Sequence, residues 1–427
     1  MAPPKNLGEF SMDQNWPPFA WPSEGVTRIP FKIFADPDVY QKEQELIFRG
    51  PIWNFLCLEL ELKTPGDYKV SSIGDTPIVV TKDRDGDINA MVNRCAHKGA
   101  LVCHKEKGNV KNLSCVYHSW TYDLKGKLIG LAFQNGLRGQ GGMPEDFDPE
   151  KHSLKSIKTA IFAGMIFGTF QENTPDIEEF FGKKMCDTLR RNFSRPLKLL
   201  GSHSQVIHNN WKLYAENVRD SYHATLLHTF YTTFNINRLD MDGGIRITDA
   251  AKPWHHLSFA KKATLNESEE YQDSKVHSAN YNSELEGAEL LHAWDEFDDG
   301  ITHSIQALFP TLAIQFTLNS LAVRWFTPRS IDETELFWMY LGYEDDTEEQ
   351  SKMRIRQSNL TGAAGLVSLE DGCINEFVQR GSKGAGQSAN AFIEMGGTSV
   401  ESSEGSRATE VAIRGFWQGY REIMGFV

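Results

Sequence analysis

The chain has 427 residues, of which 40% are apolar and 24% charged, and its 57 acidic against 44 basic side chains give a net charge of −13 at pH 7. This is the balance of a globular protein of two or three domains, and it excludes disorder, collagen and coiled coil. A surface this acidic repels phosphate backbones and argues against nucleic acid as a partner.

No apolar run approaches the ~20 residues needed to cross a bilayer. The N-terminal MAPPKNLGEF is polar and lacks the apolar core of a signal peptide, so a cytoplasmic location is expected. The six cysteines (Cys57, Cys95, Cys103, Cys115, Cys186, Cys373) are too few and too scattered for a disulfide framework. In a reducing compartment, closely placed Cys and His point to metal.

In chain order, residues 1–30 carry Pro3, Pro4, Pro17, Pro18, Pro22 and Pro30 and read as an extended arm. The spacing of Tyr40, Leu46 and Phe48 predicts a short helix over Asp36–Arg49. From Ile52 to about Lys158 the β-prone runs Trp53–Leu60, Asp67–Ser72, Thr76–Thr81, Asp87–Val92 and Gly126–Ile129 alternate with Gly/Asp turns, as in a small antiparallel β domain. Ile161–Phe170 predicts one buried strand. Helical periodicity covers Ile177–Arg191 and Asn210–Thr229. Residues 240–285 are polar and irregular and read as a long loop. Ile305–Thr317, Ser320–Phe326 and Glu335–Tyr343 predict successive strands, and Asp346–Thr361 and Glu410–Met424 predict helices. Grouped strands with helices laid on one side make an α+β fold.

Two constellations carry chemistry. Cys95-x-His97 and Cys115-x2-His118 form two short loops, each offering one thiolate and one imidazole. Two Cys on one iron and two His on the other is the ligand set of a Rieske [2Fe–2S] cluster. Zinc modules usually pair C-x2-4-C with H-x3-5-H, which one Cys and one His per loop fits poorly. Cys103-His104 belongs to neither loop and reads as structural. The second constellation is Asp220-x2-His223-x4-His228, in the segment of helical periodicity. The acid and first His share a helical face, and the second His lies about 140° further round. Two imidazoles and one carboxylate make the facial triad of non-haem Fe(II) oxygenases. The carboxylate must come from elsewhere in the chain, and composition does not choose it.

Residues 93–120, 210–230 and 361–381 resemble the α subunits of Rieske non-haem iron ring-hydroxylating oxygenases, and the resemblance runs from about Arg28 to Gly425. It implies a Rieske β domain inserted in a helix-grip catalytic domain. The implied limits are 1–50 for the N-terminal arm and helix of the catalytic domain, 51–160 for the Rieske domain and 161–427 for the mononuclear iron domain. The extra loop cysteines of high-potential Rieske proteins are replaced here by Gly99, Ala100 and Tyr117. In the family the iron carboxylate is an Asp following a Gly-x-Ala-Gly turn. Gly362-Ala363-Ala364-Gly365 here precedes Glu370-Asp371, which favours Asp371 as the ligand. Asp220 is implied not as a ligand but as a bridge from His118 of one subunit to His223 of the next, in a head-to-tail homotrimer, α3 or α3β3 with a small β subunit. Asn217 matches a family position near the iron, and Trp120 is placed over the cluster.

Within the family the chain is most similar to oxygenases of carboxylated aromatics: terephthalate first, with salicylate and anthranilate beside it. The expected substrates are therefore an aromatic carboxylate and O2. One departure is Phe316, after Gln315, where the resemblance implies a second Gln. A buried anion needs a buried cation, and Arg324 in LAVRWF and Arg414 in VAIRGFW are charges where the pattern predicts core. Both are candidates for holding a ring carboxylate. Gly136–Gly142 lacks the Lys-Ser/Thr of a phosphate loop, and no dinucleotide fingerprint is visible. Electrons from NADH should then arrive through a separate reductase or ferredoxin. The competing reading is an electron carrier whose second half only docks a partner.

Overall fold

The computed structural model describes residues 16–261, 285–361, 366–386 and 388–426. Two antiparallel sheets organise it. The first has seven strands in the order Asn54–Leu58, Met165–Thr169, Ser156–Phe162, Ile88–Val92, Thr76–Lys82, Asp67–Ile73 and Lys107–Asn109. A three-stranded sheet (Leu113–Ser114, Thr121–Tyr122, Leu128–Gly130) accompanies it and carries the second Cys/His loop. The other large sheet has eight strands: Leu197–Ile207, Glu333–Tyr343, Ser320–Ser330, Leu312–Thr317, Ile301–Leu308, His256–Lys261, Gly243–Ile247 and Ser403–Glu404. Phe55 of the first sheet meets Trp325 of the second edge-on at 5.1 Å, so one apolar core runs across both. The α+β expectation holds.

The segment before the first sheet packs against the end of the chain. Arg28–Pro30 pairs with Asn390–Phe392, and Trp21 and Phe34 both contact Trp417 on the C-terminal helix Val411–Met424. The seven-stranded sheet extends to Thr169, and the limit expected at 160 falls inside the strand Ser156–Phe162.

Several elements depart from the periodicity. Ile161–Phe170 is not one strand. Ala163 (φ 50°) and Gly164 (φ 73°) turn the chain between Ser156–Phe162 and Met165–Thr169, since two consecutive positive φ values make the tight hairpin turn that matches strand twist. Ile177–Arg191 breaks into Ile177–Phe181 and Lys183–Asn192 at Gly182, whose φ of 76° no helix accepts. The run Ile305–Thr317 is a hairpin of Ile301–Leu308 and Leu312–Thr317. The polar stretch 240–285 contains the strands Gly243–Ile247 and His256–Lys261, and its residues 262–284 lie outside the described ones. Residues 1–15 of the arm and the Gly362–Gly365 turn also lie outside them.

A buried ion pair ties the site-bearing helix Trp211–Asn217 to the rest of the molecule. Lys212 Nζ lies 2.5 Å from Glu43 Oε1, with both side chains fully buried. Glu43 also accepts from Trp211 Nε1 at 2.7 Å and from the Tyr420 hydroxyl. Burial pulls the Lys212 ammonium below its usual range, and Glu43 opposes the pull. Removing one partner of such a pair leaves an uncompensated buried charge, costing about 3–5 kcal/mol. Lys212→Met is therefore expected to unfold at markedly lower urea than the parent. Glu43→Gln combined with Lys212→Met should recover part of that loss, because no charge is then left unpaired.

Candidate metal centres

The two Cys/His loops are built alike. Cys95 N–H donates to the Ala100 carbonyl at 2.8 Å and Gly99 N–H to the Cys95 carbonyl at 3.0 Å. In the second loop Cys115 N–H donates to the Trp120 carbonyl at 2.8 Å and Ser119 N–H to the Cys115 carbonyl at 2.9 Å. Gly99 (φ 75°) and Ser119 (φ 58°) take the left-handed conformation at the same point of each turn. The loops thus lay Cys95 and Cys115 inward, 3% and 2% exposed, and hold His97 and His118 nearer the tip, their rings 4.5 Å apart. Trp120 stacks on His97 at 5.0 Å and 5°. Cys95 Sγ lies 3.2 Å from the Tyr122 hydroxyl.

Among the described residues, these four donors supply no group of three within 4.8 Å of one another, the span that one ion needs. Two thiol sulfurs set deep and two imidazoles set outward fit a two-iron cluster lying between them. Cys103 is pinned by its backbone to the Asn93 side chain, and burial pushes its thiol up to about 11. That thiol is a packing group. Cys115→Ala is expected to abolish the visible absorption and the reduced-state EPR signal of the cluster, while Cys103→Ala keeps both. The opposite pattern would reverse the assignment.

The second centre forms where a helix stops. Trp211–Asn217 ends, and the Asp220 carboxylate accepts from Tyr222 N–H at 2.9 Å and His223 N–H at 3.1 Å, opening a new short turn over His223–Thr225. Asp220, His223 and His228 therefore do not share one continuous helix, as the periodicity had suggested. The helix Leu366–Ser382 brings Asp371 beneath both imidazoles. His223 Nε2 is 3.3 Å and His228 Nε2 3.4 Å from Asp371 Oδ1, and the three donors lie within 4.8 Å of one another. Asn217 Nδ2 donates to the same Oδ1 at 3.1 Å. The remaining nitrogens have their own carboxylates: His223 Nδ1 is 3.3 Å from Asp220 and His228 Nδ1 is 2.6 Å from Glu370.

The electrostatics fit a cation. Burial alone would lower His223, but Asp220 and Asp371 outweigh it and hold the imidazole up at about 10. Burial would raise Asp371, yet the two histidines hold its carboxyl far below the usual range. Two imidazoles that take up protons around a shared buried carboxylate mark a place for positive charge, which a divalent ion supplies on displacing those protons. Nitrogen, nitrogen and carboxylate oxygen on one side suit Fe(II) with positions left open.

A cavity opens beside this centre. Ser258, Ile305 and Gln315 stand in register across three strands, and Arg324 follows on the same face of the next. Arg324 is 3% exposed; Nη1 donates to the Tyr214 hydroxyl at 3.2 Å and the guanidinium sits 4.9 Å over Trp338. Its Nε has no partner, and no carboxylate among the described residues pairs with it. Arg414 corrects the sequence expectation. It does not line the cavity; Nε donates to the Ser399 carbonyl at 2.7 Å and Nη1 to those of Ile393 and Met395 at 3.2 and 3.1 Å, holding a loop onto the C-terminal helix. Arg407 also lines the cavity, and the sequence reading missed it because no periodicity marks its segment. Its Nη1 donates to Asn237 Oδ1 at 2.6 Å. Arg219 also reaches the cavity wall but turns its guanidinium 4.8 Å over Phe416. Phe316 packs its ring on Phe297 at 5.5 Å.

Fold and sites together define a protein with a Rieske-type cluster domain joined to a domain with a histidine–histidine–carboxylate centre. The family models agree: residues 52–139 match the Rieske [2Fe-2S] domain and 194–425 the ring hydroxylating alpha subunit (catalytic domain). The chain belongs to the ring-hydroxylating oxygenase α subunits; it is an oxidoreductase that uses a Rieske [2Fe–2S] cluster and a mononuclear non-haem iron. It is 45% identical to the terephthalate 1,2-dioxygenase terminal oxygenase component subunit alpha 2 of Comamonas sp, covering 95% of this chain and 97% of that one. It is 41% identical to the anthranilate 1,2-dioxygenase large subunit of Burkholderia cepacia, covering 95% of each. The fold matches that of naphthalene 1,2-dioxygenase from Rhodococcus sp. with a TM-score of 0.77 at 22% identity, over 93% of this chain and 94% of that one. No helix among the described residues is long and apolar enough to cross a membrane.

Proposed function

We propose that this terminal oxygenase hydroxylates a carboxylated aromatic ring, with terephthalate as its substrate. One observation carries the reading: Arg324, a buried guanidinium without a carboxylate partner, lines the same cavity as His223, His228 and Asp371. A planar fork of donors in a dry wall is matched to a carboxylate. Arg407 lines that cavity too, but its guanidinium is held by the Asn237 side chain and the Arg238 carbonyl, so Arg324 is the cation offered to a substrate carboxylate. The similarity to a terephthalate dioxygenase subunit points the same way.

In this reading Cys95, His97, Cys115 and His118 hold the cluster, and His223, His228 and Asp371 hold the mononuclear iron. When bound, the cluster relays electrons from a separate reductase or ferredoxin and the iron activates O2. The chain's own side chains do the rest. Arg324 fixes the carboxylate and thus which ring edge faces the metal, Ile305 keeps part of the wall apolar, and Asn217 steadies Asp371. Asp220, partly exposed and already touching His223, bridges to His118 of a neighbouring subunit in a head-to-tail α3 ring, alone or with a small β subunit.

The test is product analysis with a panel of benzoates and a matched reductase, alongside metal analysis. Terephthalate should be consumed fastest, and each chain should carry three irons. Two irons per chain would support an electron carrier, and a preference for a mono-acid would move the substrate to salicylate or anthranilate.

A further inference from the structure

Each imidazole that faces Asp371 turns its other nitrogen to a second carboxylate, and the two contacts differ. Asp220 spends one oxygen on the N–H groups of Tyr222 and His223 and leaves the other 3.3 Å from His223 Nδ1. Glu370 Oε2 lies only 2.6 Å from His228 Nδ1, and His228 itself is 3% exposed.

We propose that Glu370 is a positioning residue for the mononuclear iron, holding His228 in the one tautomer and ring orientation that present Nε2 to the metal. Resting on the assignment of His223, His228 and Asp371 as ligands, it gives Glu370 a role distinct from ligation. Glu370 and Asp371 are neighbours on one helix, so their side chains leave it about 100° apart. They reach opposite edges of the same ring: Asp371 Oδ1 faces Nε2 and Glu370 Oε2 faces Nδ1. Glu370 therefore cannot share the ion with Asp371 through that ring. An Nδ1–H donated to a carboxylate leaves Nε2 as the lone-pair nitrogen and makes it a stronger donor.

The mount is firm enough for this purpose. At one end of the helix the Ser368 hydroxyl meets Gln205 Oε1 at 3.2 Å, on the edge strand of the large sheet. Near the other end Gln379 Oε1 accepts from Asn210 N–H at 2.6 Å, at the start of the helix Trp211–Asn217. Asn375 Nδ2 donates to the Asp371 carbonyl at 2.8 Å. The same helix thus carries ligand and orienting group, and both are tied to the segment that carries the histidines.

The experiment is anaerobic titration of cluster-loaded enzyme with Fe(II) against a competing chelator, for the parent, Glu370→Ala, Glu370→Gln and Asp371→Ala. Glu370→Ala should bind Fe(II) about 10–100-fold more weakly, the usual cost of losing a group that orients a metal-bound histidine. Glu370→Gln, whose amide oxygen still accepts the Nδ1–H, should fall between Ala and the parent. The thermal midpoint of the iron-depleted protein and the EPR signal of the reduced cluster should not change, which a merely structural role would not predict. Glu370→Ala at parental affinity, with Asp371→Ala unable to hold iron, overturns the inference and leaves the ligand set standing. Asp371→Ala at parental affinity overturns the ligand set instead. If Glu370→Ala loses folded protein, Glu370→Gln decides, and parental affinity there overturns the inference.

Discussion

Replacing Arg324 with Gln is expected to raise KM for an aromatic carboxylate at least about tenfold, because a charge-assisted, largely desolvated contact of this kind contributes roughly 1.5–3 kcal/mol. Arg324→Lys keeps the charge but loses the planar fork, and should give a smaller rise. The loss should be specific to the acid. A methyl ester or amide of the same acid should bind the parent poorly and be changed little by Arg324→Gln. Arg414 provides the contrast, since its guanidinium is engaged by the carbonyls of Ile393, Met395 and Ser399. Arg414→Gln should lower the thermal midpoint and leave the acid-to-ester preference where it was. Steady-state kinetics on acid and ester, with a melting curve for each variant, separates the two arginines. An unchanged acid-to-ester preference in Arg324→Gln would remove the carboxylate assignment.

Replacing Asp220 with Asn should stop turnover while leaving both metal centres filled. Its side chain touches His223 at Nδ1, on the ring edge away from Asp371, so the three donors around the iron survive the change. Its two backbone contacts need only an acceptor oxygen, which Asn retains. What is lost, in the proposed trimer, is the anion between two imidazoles on neighbouring subunits. In a single-turnover experiment the cluster should still reduce and the iron still bind, with no transfer between them. Loss of the mononuclear iron in Asp220→Asn, with retention in Asp371→Asn, would exchange the two roles.

The parts of the site readable from sequence are those packed into short stretches. Cys95, His97, Cys115 and His118 sit in two loops of a few residues each, and His223 and His228 in one turn, so local spacing carries the chemistry. Asp371 needed the resemblance, because it arrives from another helix 143 residues beyond His228. Arg324 and Arg414 look alike in sequence, each a charge in an apolar run. Only the fold shows that one faces a cavity and the other a ring of carbonyls. The strands Gly243–Ile247 and His256–Lys261 read as loop in the sequence because glycines and polar residues interrupt their apolar pattern. His256 is buried and Ser258 lines the cavity, so a polar side chain here does not mark a solvent-facing position. The hairpin at Ala163–Gly164 was hidden because both of its arms are apolar. Backbone conformation, not hydrophobicity, marks that turn.

The two cluster loops bury their sulfurs and leave their imidazoles at the tip, beside Val116 and Tyr117, which are 73% and 60% exposed in the chain taken alone. An electron held on the histidine side of a bound cluster would sit at an exposed edge of this chain. Diffusing oxidants, O2 among them, can reach that edge until another protein surface lies over it. In the proposed trimer, insulation is a property of the assembly and not of the fold. Under that proposal, product formed per electron supplied is expected to depend on protein concentration, with dilution diverting reducing power into reduced oxygen before it weakens any bond within the chain.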